Sequence, residues 1–482
     1  MAEVLSSIDY KKVFHFFEEI SNVPRGSRNN KGISDYLVKF AKDRGLYYEQ
    51  DEMLNVIIIK DATPGYEDHD AVMLQGHMDM VCIKEPDSNH DFEKDPLKLK
   101  INGDFIEAEG TTLGGDDGIA IAYALAILDS NEFKHPRLEV VITTDEEIGL
   151  LGATALDVKN LRAKNMINID SEEESNILVG CAGGMTSISE FTFASETVSG
   201  VKVTCQVRGL QGGHSGVDIK KHRTNATILS ARLMTDLRKE FDFAVAKFES
   251  GEKDNAIPSV SNIEFVIAKD KVDAFTAKIA AMNAVYEGEI KTTEPDFKVV
   301  TLVAEEGSFE CLSKENFEKV ILYILFQPNG IQTMSADIEG LVESSLNLGI
   351  CKVEPTSALF SYSVRSSVAT YKTFMSDKIK LFTENLGGTY RIEGEYPGWE
   401  YKHESKLREV FVDLYKDEFG RDPIIEVIHA GLECGILANK MPGLDIVSIG
   451  PDMHDVHTPK ETLSISSTIR VFDYIVKVLA AI

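Results

Sequence analysis

Histidine and carboxylate side chains recur directly after short apolar segments of this chain. The stretch TTDEEIGLLG, residues 143–152, follows an apolar run and sets three acids side by side. Similar groups adjoin other apolar segments, far apart in the sequence. The residues concerned are His77 and Asp79, Asp116 and Asp117, Glu146 and Glu147, Asp170, and His457.

Brought together by folding, two histidines and several carboxylates would offer nitrogen and oxygen ligands suited to zinc, manganese or cobalt. Two ions that share a carboxylate can activate water and polarise a carbonyl group. A general base that is not a ligand is then needed beside the water. Glu146 and Glu147 could divide these roles, because neighbouring side chains in an extended segment diverge. Taken singly, each group also has an ordinary explanation, such as Asp116 or Asp117 capping the helix that follows.

The apolar segments before these acids indicate strands of a buried sheet. RLEVVITT and NMINID are apolar on both faces, and the segment GIAIAYALAILDS between strands has a helical composition. This alternation predicts an α/β fold with a mostly parallel central sheet flanked by helices. Ligands of such sheets bind beyond the carboxyl ends of the strands, which is where the acids lie.

A second type of pattern begins near residue 181. VKVTCQVRGLQGGHSG shows strand alternation, and two later segments repeat a strand, helix, strand order, which indicates a weak internal duplication. Helix and strand then alternate again towards the C-terminus. We therefore predict a catalytic domain of residues 1–185 and 395–482, with an α+β lid domain of residues 186–394 inserted into it.

Composition argues against two classes of partner. The chain has 78 acidic and 50 basic residues, a formal net charge of −28. Nucleic acids and acidic membranes bind mainly through basic side chains, so neither is expected as a partner.

The six cysteines form no CxxC pair, which is typical of buried thiols in a reducing compartment. The N-terminal residues lack a signal-peptide pattern, and we predict a cytoplasmic location.

Seven motifs together resemble a known family. In order they are GHMDMV, TTLGGDDGIA, TTDEEIGLLGA, NIDSEE, GLQGGHSGVDI, HAGLECG and HTPKETL. They resemble motifs of the bacterial aminoacyl-histidine dipeptidases, also called Xaa-His dipeptidases or carnosinases, within the clan of co-catalytic zinc exopeptidases and deacylases. The resemblance runs from about Pro24 to near the C-terminus. It implies a dipeptide substrate, preferably Xaa-His such as β-alanyl-histidine, and a homodimer, although a duplicated lid could let a monomer complete its own site.

The resemblance also implies two divalent ions per chain, with zinc as the first choice and cobalt or manganese as alternatives. Asp116 would bridge the two ions. Asp79 matches an acid that orients a histidine ligand, and Glu146 matches the general base that later protonates the leaving amine. The implied metal ligands are His77, Asp116, Glu147, Asp170 and His457.

Substrate contacts are implied in the inserted domain and shortly after it. His214 matches a histidine that stabilises the oxyanion of the scissile carbonyl. Arg365 could bind the terminal carboxylate of the dipeptide through two parallel hydrogen bonds that lysine could not reproduce. Asn255 and Gly431 are implied as further substrate contacts.

Several residues and functions stay open. Asp117 stands where relatives often carry an amide, which leaves the assignment of Asp116 as the sole bridge open. Roles for Asp145 and His454 are also open, whereas Cys434 is predicted to serve packing and residues 172–174 to be a solvated charge run. Alternative functions are a broader dipeptidase or tripeptidase, an N-acyl amino acid deacylase, or a metal-stabilised binding protein without turnover.

Overall fold

A computed structural model describes residues 4–482, which form two compact units. The first unit consists of the described residues up to Cys181 together with Trp399–Val427 and Leu432–Ile482. The second unit consists of Ala182–Gly398 and Ile428–Gly431. Among residues 4–482, no helix is both long enough and apolar enough to cross a membrane.

The two units differ from the predicted domain division at three short segments, which are residues 182–185 and 395–398 at the boundaries and Ile428–Gly431. Ile428–Gly431 was predicted to lie in the catalytic domain, but it groups with the second unit. The carbonyl of Ile428 accepts a hydrogen bond from the amide of Ala182. A local sequence pattern does not predict long-range contacts of this kind. The segment was therefore assigned to the catalytic domain together with the helices and strands around it.

The helices and strands are numbered in chain order. The first part of unit one contains α1 (Val13–Ser21), α2 (Lys31–Asp43), β1 (Tyr47–Gln50), β2 (Val56–Lys60), β3 (Val72–His77), β4 (Leu99–Asn102), β5 (Phe105–Ala108), α3 (Gly115–Asp129), β6 (Leu138–Thr143), α4 (Leu151–Ala155), β7 (Asn165–Asn168) and β8 (Asn176–Cys181). The second unit contains β9 (Gly183–Thr192), β10 (Ser195–Arg208), β11 (Gly213–His214), α5 (Ala226–Leu237), β12 (Phe243–Ser250), β13 (Ala256–Ile257), β14 (Ser261–Ile267), α6 (Val272–Ile290), β15 (Lys298–Leu312), α7 (Lys314–Phe326), β16 (Gly330–Met334), β17 (Val342–Glu354), β18 (Ser357–Ser366), α8 (Ala369–Asn385) and β19 (Thr389–Tyr396), with short 3₁₀ turns at Ile219–Lys221 and Lys269–Lys271. The remaining elements are α9 (Lys406–Phe419), β20 (Ile424–Ile428), α10 (Glu433–Lys440), β21 (Asp445–Ser448), β22 (Met453–His454), β23 (Thr462–Ser464) and α11 (Ile465–Ala481).

The central sheet of the first unit has the strand order β1-β2-β6-β3-β7-β21-β8-β20. Its middle strands β6, β3, β7 and β21 are parallel, as predicted. The outer pairs β1 with β2, β2 with β6, and β21 with β8 are antiparallel. The sheet is therefore mixed, because β1 and β2 are joined by a short turn that can only reverse the chain. Since β3, β6 and β7 run in parallel, the segments that follow all three begin at the same edge.

The second unit contains a nine-stranded sheet in which one arrangement occurs twice. Its main order is β15-β10-β14-β12-β17-β18-β9-β19, with β16 beside β17. The predicted strand, helix, strand copies are β14-α6-β15 and β18-α8-β19. In the first copy, β14 and β15 flank β10, and β12 lies beside β14. In the second copy, β18 and β19 flank β9, and β17 lies beside β18. The halves join where β12 pairs with β17.

Candidate metal centre and substrate residues

Two parallel strands and one helix of the first unit, β3, β7 and α3, bring the first group of candidate ligands together. His77 ends β3 and is only 1% exposed. Its Nε2 lies 3.0 Å from Oδ1 of Asp116 and 3.6 Å from Oδ1 of Asp170. Asp170 follows β7 by two residues, and Asp116 lies at the start of α3. These three side chains form a group whose ligand atoms all lie within 4.8 Å of one another.

A second group uses the other oxygen of Asp116. Oδ2 of Asp116 lies 3.0 Å from Nε2 of His457, and the same nitrogen lies 3.0 Å from Oε1 of Glu147. These ligand atoms also lie within 4.8 Å of one another. The structure therefore brings all five sequence-predicted ligands together, with Asp116 shared between the two groups.

The charges of the two groups fit divalent cations. Burial, together with nearby Asp116 and Glu147, raises the pKa of Asp170 to about 6. The carboxylates of Asp116 and Glu147 raise the pKa of His457 to about 11. Without an ion, a protonated imidazole would have to balance these acids; a bound cation does so while leaving the rings neutral and able to ligate. Two nitrogens and several carboxylate oxygens form a donor set suited to zinc, manganese or cobalt.

Glu146 lies beside these groups with a free carboxylate. Its ligand atoms can also form a group with His77 and Glu147. Among residues 4–482, its carboxylate makes no hydrogen bond or ion pair. Burial raises its pKa well above the usual value, and the negative charges of Asp170, Glu433 and Glu147 add to this effect against the opposing influence of His77. A carboxylate with a raised pKa and no partner is well suited to accept and release a proton.

Asp79 links His77 to the segment that carries Glu146 and Glu147. Its carbonyl oxygen lies 3.0 Å from Nδ1 of His77, closer than its own Oδ1 at 3.5 Å. Its carboxylate accepts hydrogen bonds from the amides of Glu146, at 3.0 Å, and Glu147, at 3.4 Å, and from Ser27. The Asp79 side chain thus contacts the Glu146 backbone more closely than the histidine that it was predicted to orient.

Two further acids turn away from the candidate ligands. Oδ2 of Asp117 accepts a hydrogen bond from the amide of His77 at 3.1 Å, and Asp117 belongs to none of the ligand groups of residues 4–482. Oδ1 of Asp145 accepts hydrogen bonds from the Arg28 amide and the Asn30 side chain. Both therefore hold the backbone around the site.

His454, the other open residue, packs against Phe105, and Cys434 is buried. The run of residues 172–174 was predicted to be solvated, but the side chain of Glu174 is only 7% exposed because it forms an ion pair with Arg470. None of these contacts involves a predicted metal ligand.

Buried polar residues that sequence reasoning missed surround the site. Glu461 accepts hydrogen bonds from backbone amides of the segment that carries Asp116. Arg25 donates to carbonyl oxygens of that segment and of the His77 segment. Glu433 accepts hydrogen bonds from Gln75 at 2.6 Å and Thr143 at 2.5 Å. Only the position of Glu461, four residues after His457, could have drawn attention to it in the sequence.

In the second unit, Arg365 and His214 lie next to each other. Arg365 is 7% exposed, its Nη1 donates to the hydroxyl of Tyr396 at 3.1 Å, and its Nη2 lies 3.5 Å from Nε2 of His214. Within residues 4–482, Arg365 forms no ion pair, and its Nε has no hydrogen-bond partner. A buried guanidinium without a carboxylate is suited to binding an anion. We call Arg365, His214 and Tyr396 the basic cluster.

The protonation of His214 follows from its neighbours. Its Nδ1 accepts hydrogen bonds from the amides of Gly216 at 3.3 Å and Val217 at 3.2 Å. Burial and the charge of Arg365 lower its pKa. The neutral ring therefore carries its proton on Nε2, facing Arg365. Two donors so close together indicate a shared acceptor supplied from outside the protein.

Asn255 and Gly431 both lie near the basic cluster. Asn255 contacts the residue after His214, and Gly431 lies against the ring of Tyr396. The carbonyl of Asn255 accepts a hydrogen bond from the amide of Ser215, next to His214, while the Asn255 side chain is exposed. A Cβ atom on Gly431 would lie 2.7 Å from Cε2 of Tyr396, so a larger residue there would displace that ring.

His429 is a further residue that the sequence analysis missed. Its ring is 8% exposed, its Nε2 lies 2.8 Å from Oγ of Ser345, and its Nδ1 has no partner among residues 4–482. Burial, with help from the charges of Arg365 and His214, lowers its pKa to about 3. Ser345 pairs with Arg365 between β17 and β18, which puts a neutral imidazole beside the guanidinium.

The fold and the site together define a class of protein. Residues 73–481 match Peptidase family M20/M25/M40, and the chain belongs to this family. It is a hydrolase of peptide bonds, and peptidases of this family depend on metal ions. The family resemblance and the predicted fold class are thereby confirmed.

Two relatives match nearly the whole chain. The cytosol non-specific dipeptidase of Escherichia coli K12 is 33% identical over 467 residues, which is 96% of each chain. The crystal structure of aminoacylhistidine dipeptidase from Vibrio alginolyticus is 33% identical, covers 100% of this chain and 99% of its own, and superimposes with a TM-score of 0.90. Aminopeptidase PepT from Bacillus cereus, at 17% identity and a TM-score of 0.54, over 98% of this chain and 99% of its own, shares the fold.

Proposed function

We propose that this protein is a dipeptidase that uses two divalent metal ions and prefers Xaa-His dipeptides. The observation that carries the proposal is the position of Asp116. Its two oxygens each lie 3.0 Å from a different histidine, His77 or His457, which is the arrangement expected of a carboxylate shared by two ions. The unpaired carboxylate of Glu146 lies beside both groups.

In this proposal the five ligands divide between two ions. His77 and Asp170 would hold the first ion, Glu147 and His457 would hold the second, and Asp116 would serve as a ligand of both. When bound, the ions polarise the peptide carbonyl and acidify the attacking water. We favour zinc, with cobalt or manganese as alternatives, because these ligands discriminate little between the three.

Glu146 moves the proton in the proposed reaction. Its carboxylate accepts a proton from the water that attacks the peptide carbonyl, and the resulting carboxylic acid donates that proton to the leaving amine. Its carboxylate has no hydrogen-bond partner within the described part of the chain, residues 4–482, which leaves both oxygens available for this exchange. Asp79, through its bonds to the amides of Glu146 and Glu147, positions the base.

The residues of the second unit are proposed to bind substrate. Arg365 binds the terminal carboxylate of the dipeptide, and the Nε2–H of His214 donates to the oxyanion of the scissile carbonyl. The lack of an ion pair to Arg365 among the described residues, and the Nε2 tautomer of His214, support these roles. Asn255 and Gly431 are proposed as further contacts.

Two relatives favour different breadths of specificity. The Vibrio relative is named for aminoacyl-histidine substrates, whereas the Escherichia coli relative is named as non-specific. The alternative proposal is therefore a broader dipeptidase, or a tripeptidase or N-acyl amino acid deacylase. A homodimer and a cytoplasmic location remain part of the proposal.

A substrate panel with metal analysis tests the proposal. Rates are measured for Xaa-His dipeptides, other dipeptides, tripeptides and N-acetyl amino acids on one preparation whose metal content is determined. We expect two ions per chain and the highest kcat/KM with Xaa-His dipeptides. Equal rates across dipeptides would support the broader specificity, and turnover of N-acetyl amino acids alone would contradict dipeptidase function.

A further inference from the structure

Glu461 lies buried against the turn that carries Asp116. Its side chain is 3% exposed, and its two oxygens accept hydrogen bonds from four successive backbone amides. Oε2 accepts from Leu113 at 2.8 Å and Gly114 at 3.0 Å, and Oε1 accepts from Gly115 at 2.8 Å and Asp116 at 3.4 Å. These amides belong to the first residues of α3 and the two residues before it, and the N-terminal end of a helix favours a negative charge. The carboxylate thus fixes the backbone of Asp116 itself.

The same Glu461 side chain belongs to the segment of another ligand. Glu461 follows His457 by four residues, and its amide donates to the carbonyl of Thr458 at 3.1 Å, closing a turn. Directly after it, β23 pairs with β5. The carboxylate is therefore a direct link between the backbone segments of Asp116 and His457, which form the second ligand group together with Glu147.

Arg25 holds the opposite side of the turn. Its buried guanidinium donates to the carbonyl of Gly114 and, at 3.2 Å, to the carbonyl of Met78 in the His77 segment. Gly114 has φ +66°, and a Cβ atom there would lie 2.5 Å from Nη2 of Arg25. The peptide of Gly114 is thus held through its carbonyl by Arg25 and through its amide by Glu461. Glu461 holds the backbone of this turn from the segment that carries His457.

We propose that Glu461 is a positioning residue that sets the affinity of the second metal ion by holding Asp116 in register with His457. Removing its charge leaves Arg25 and the His77 segment in place, so the first ion, between His77, Asp116 and Asp170, is retained. Outer contacts of metal ligands typically change metal affinity about 10-fold to 100-fold when they are removed. The inference rests on the proposed two-ion site.

E461Q is the variant that tests this role. It keeps the shape of the side chain but turns one acceptor into an NH₂ group that faces backbone N–H groups. The matched control is E139Q in the same unit. Glu139 is also fully buried and accepts backbone hydrogen bonds from Arg162, at 2.8 Å, and Ala163, at 3.0 Å, but it lies at the start of β6, away from the ligands.

Zinc is titrated calorimetrically into the metal-free full-length chains, and the metal content is measured after dialysis. We expect two ions in the wild type and in E139Q, and in E461Q one ion of unchanged affinity with a second weakened about 10-fold to 100-fold. The kcat of E461Q should rise with added zinc, while that of E139Q should not.

Three results separate the possible failures. Two ions bound by E461Q with wild-type affinities would overturn the proposal, and so would equal weakening of both ions. A wild type that binds fewer than two ions would instead refute the proposed two-ion function. If E461Q does not fold by circular dichroism, E461D is titrated in its place, since its shorter carboxylate should weaken the second ion alone.

Discussion

Arg365 and His214 are 151 positions apart in the chain, yet Nη2 of the arginine lies 3.5 Å from Nε2 of the histidine. Both atoms are donors, because Nδ1 of His214 accepts backbone hydrogen bonds. Arg365 lies in β18 of one half of the duplicated sheet, and His214 lies in β11, which precedes α5 of the other half. The second unit therefore brings two hydrogen-bond donors together within one chain, and we propose that they bind an anion.

The first prediction concerns the shape of the Arg365 side chain. R365K keeps the charge but loses the planar pair of donors, so we expect kcat/KM for dipeptides to fall about 10-fold to 100-fold, mostly through KM. Steady-state kinetics measures this. R232K is the matched control, because Arg232 is an exposed arginine paired with Glu289. A lower kcat at unchanged KM would contradict a role in binding the carboxylate.

A second prediction tests whether one chain supplies both residues. H214A and R365A are each expected to have little activity, and co-expressing them with different tags should restore none. In any assembly of these two variants, every second unit lacks one of the two donors. Recovery of about a quarter to a half of wild-type activity in the purified mixed assembly would show that the two groups act in different chains.

The third prediction concerns the proposed base. E146Q cannot accept a proton, so kcat should fall about 100-fold to 10,000-fold, while the two metal ions stay bound. Metal analysis and kinetics on one sample measure both. E132Q is the control, because Glu132 is an exposed acid of the same unit that belongs to no ligand group of residues 4–482. Near-normal turnover by E146Q would exclude Glu146 as the base.

The clustering of the candidate ligands was predictable because the residues stand in recognisable local patterns. His77 and Asp170 come directly at or after buried parallel strands, and Glu146 follows β6. Short motifs and strand periodicity report such positions. By contrast, Arg25 and Glu461 bind backbone groups up to 348 positions away, and no local pattern predicts those contacts. The antiparallel outer strands were missed for a similar reason, since apolar composition does not give strand direction.

The last prediction uses the buried carboxyl group of Glu433. Burial raises its pKa to about 7, and nearby Asp170 and Asp79 add to the effect against opposing influences from His77 and Thr143. An unfolded glutamate titrates near about 4.3, so the folded state binds the proton more tightly. The stabilisation that this proton gives the folded state is therefore complete below the pKa of the unfolded state. It is lost as the pH rises towards the pKa of the folded state. The loss is at most roughly 4 kcal/mol.

E433Q removes this titration while keeping an oxygen that can accept from Gln75 and Thr143. The melting temperature of E433Q minus that of the wild type should therefore become more positive between pH 5 and pH 8, as measured by calorimetry. E107Q is the control: hydrogen bonds from Lys100 and Asn102 lower the pKa of Glu107, so its titration is complete below this range and its difference should stay constant. A constant difference for E433Q as well would mean that Glu433 is already ionised at pH 5 in the folded protein.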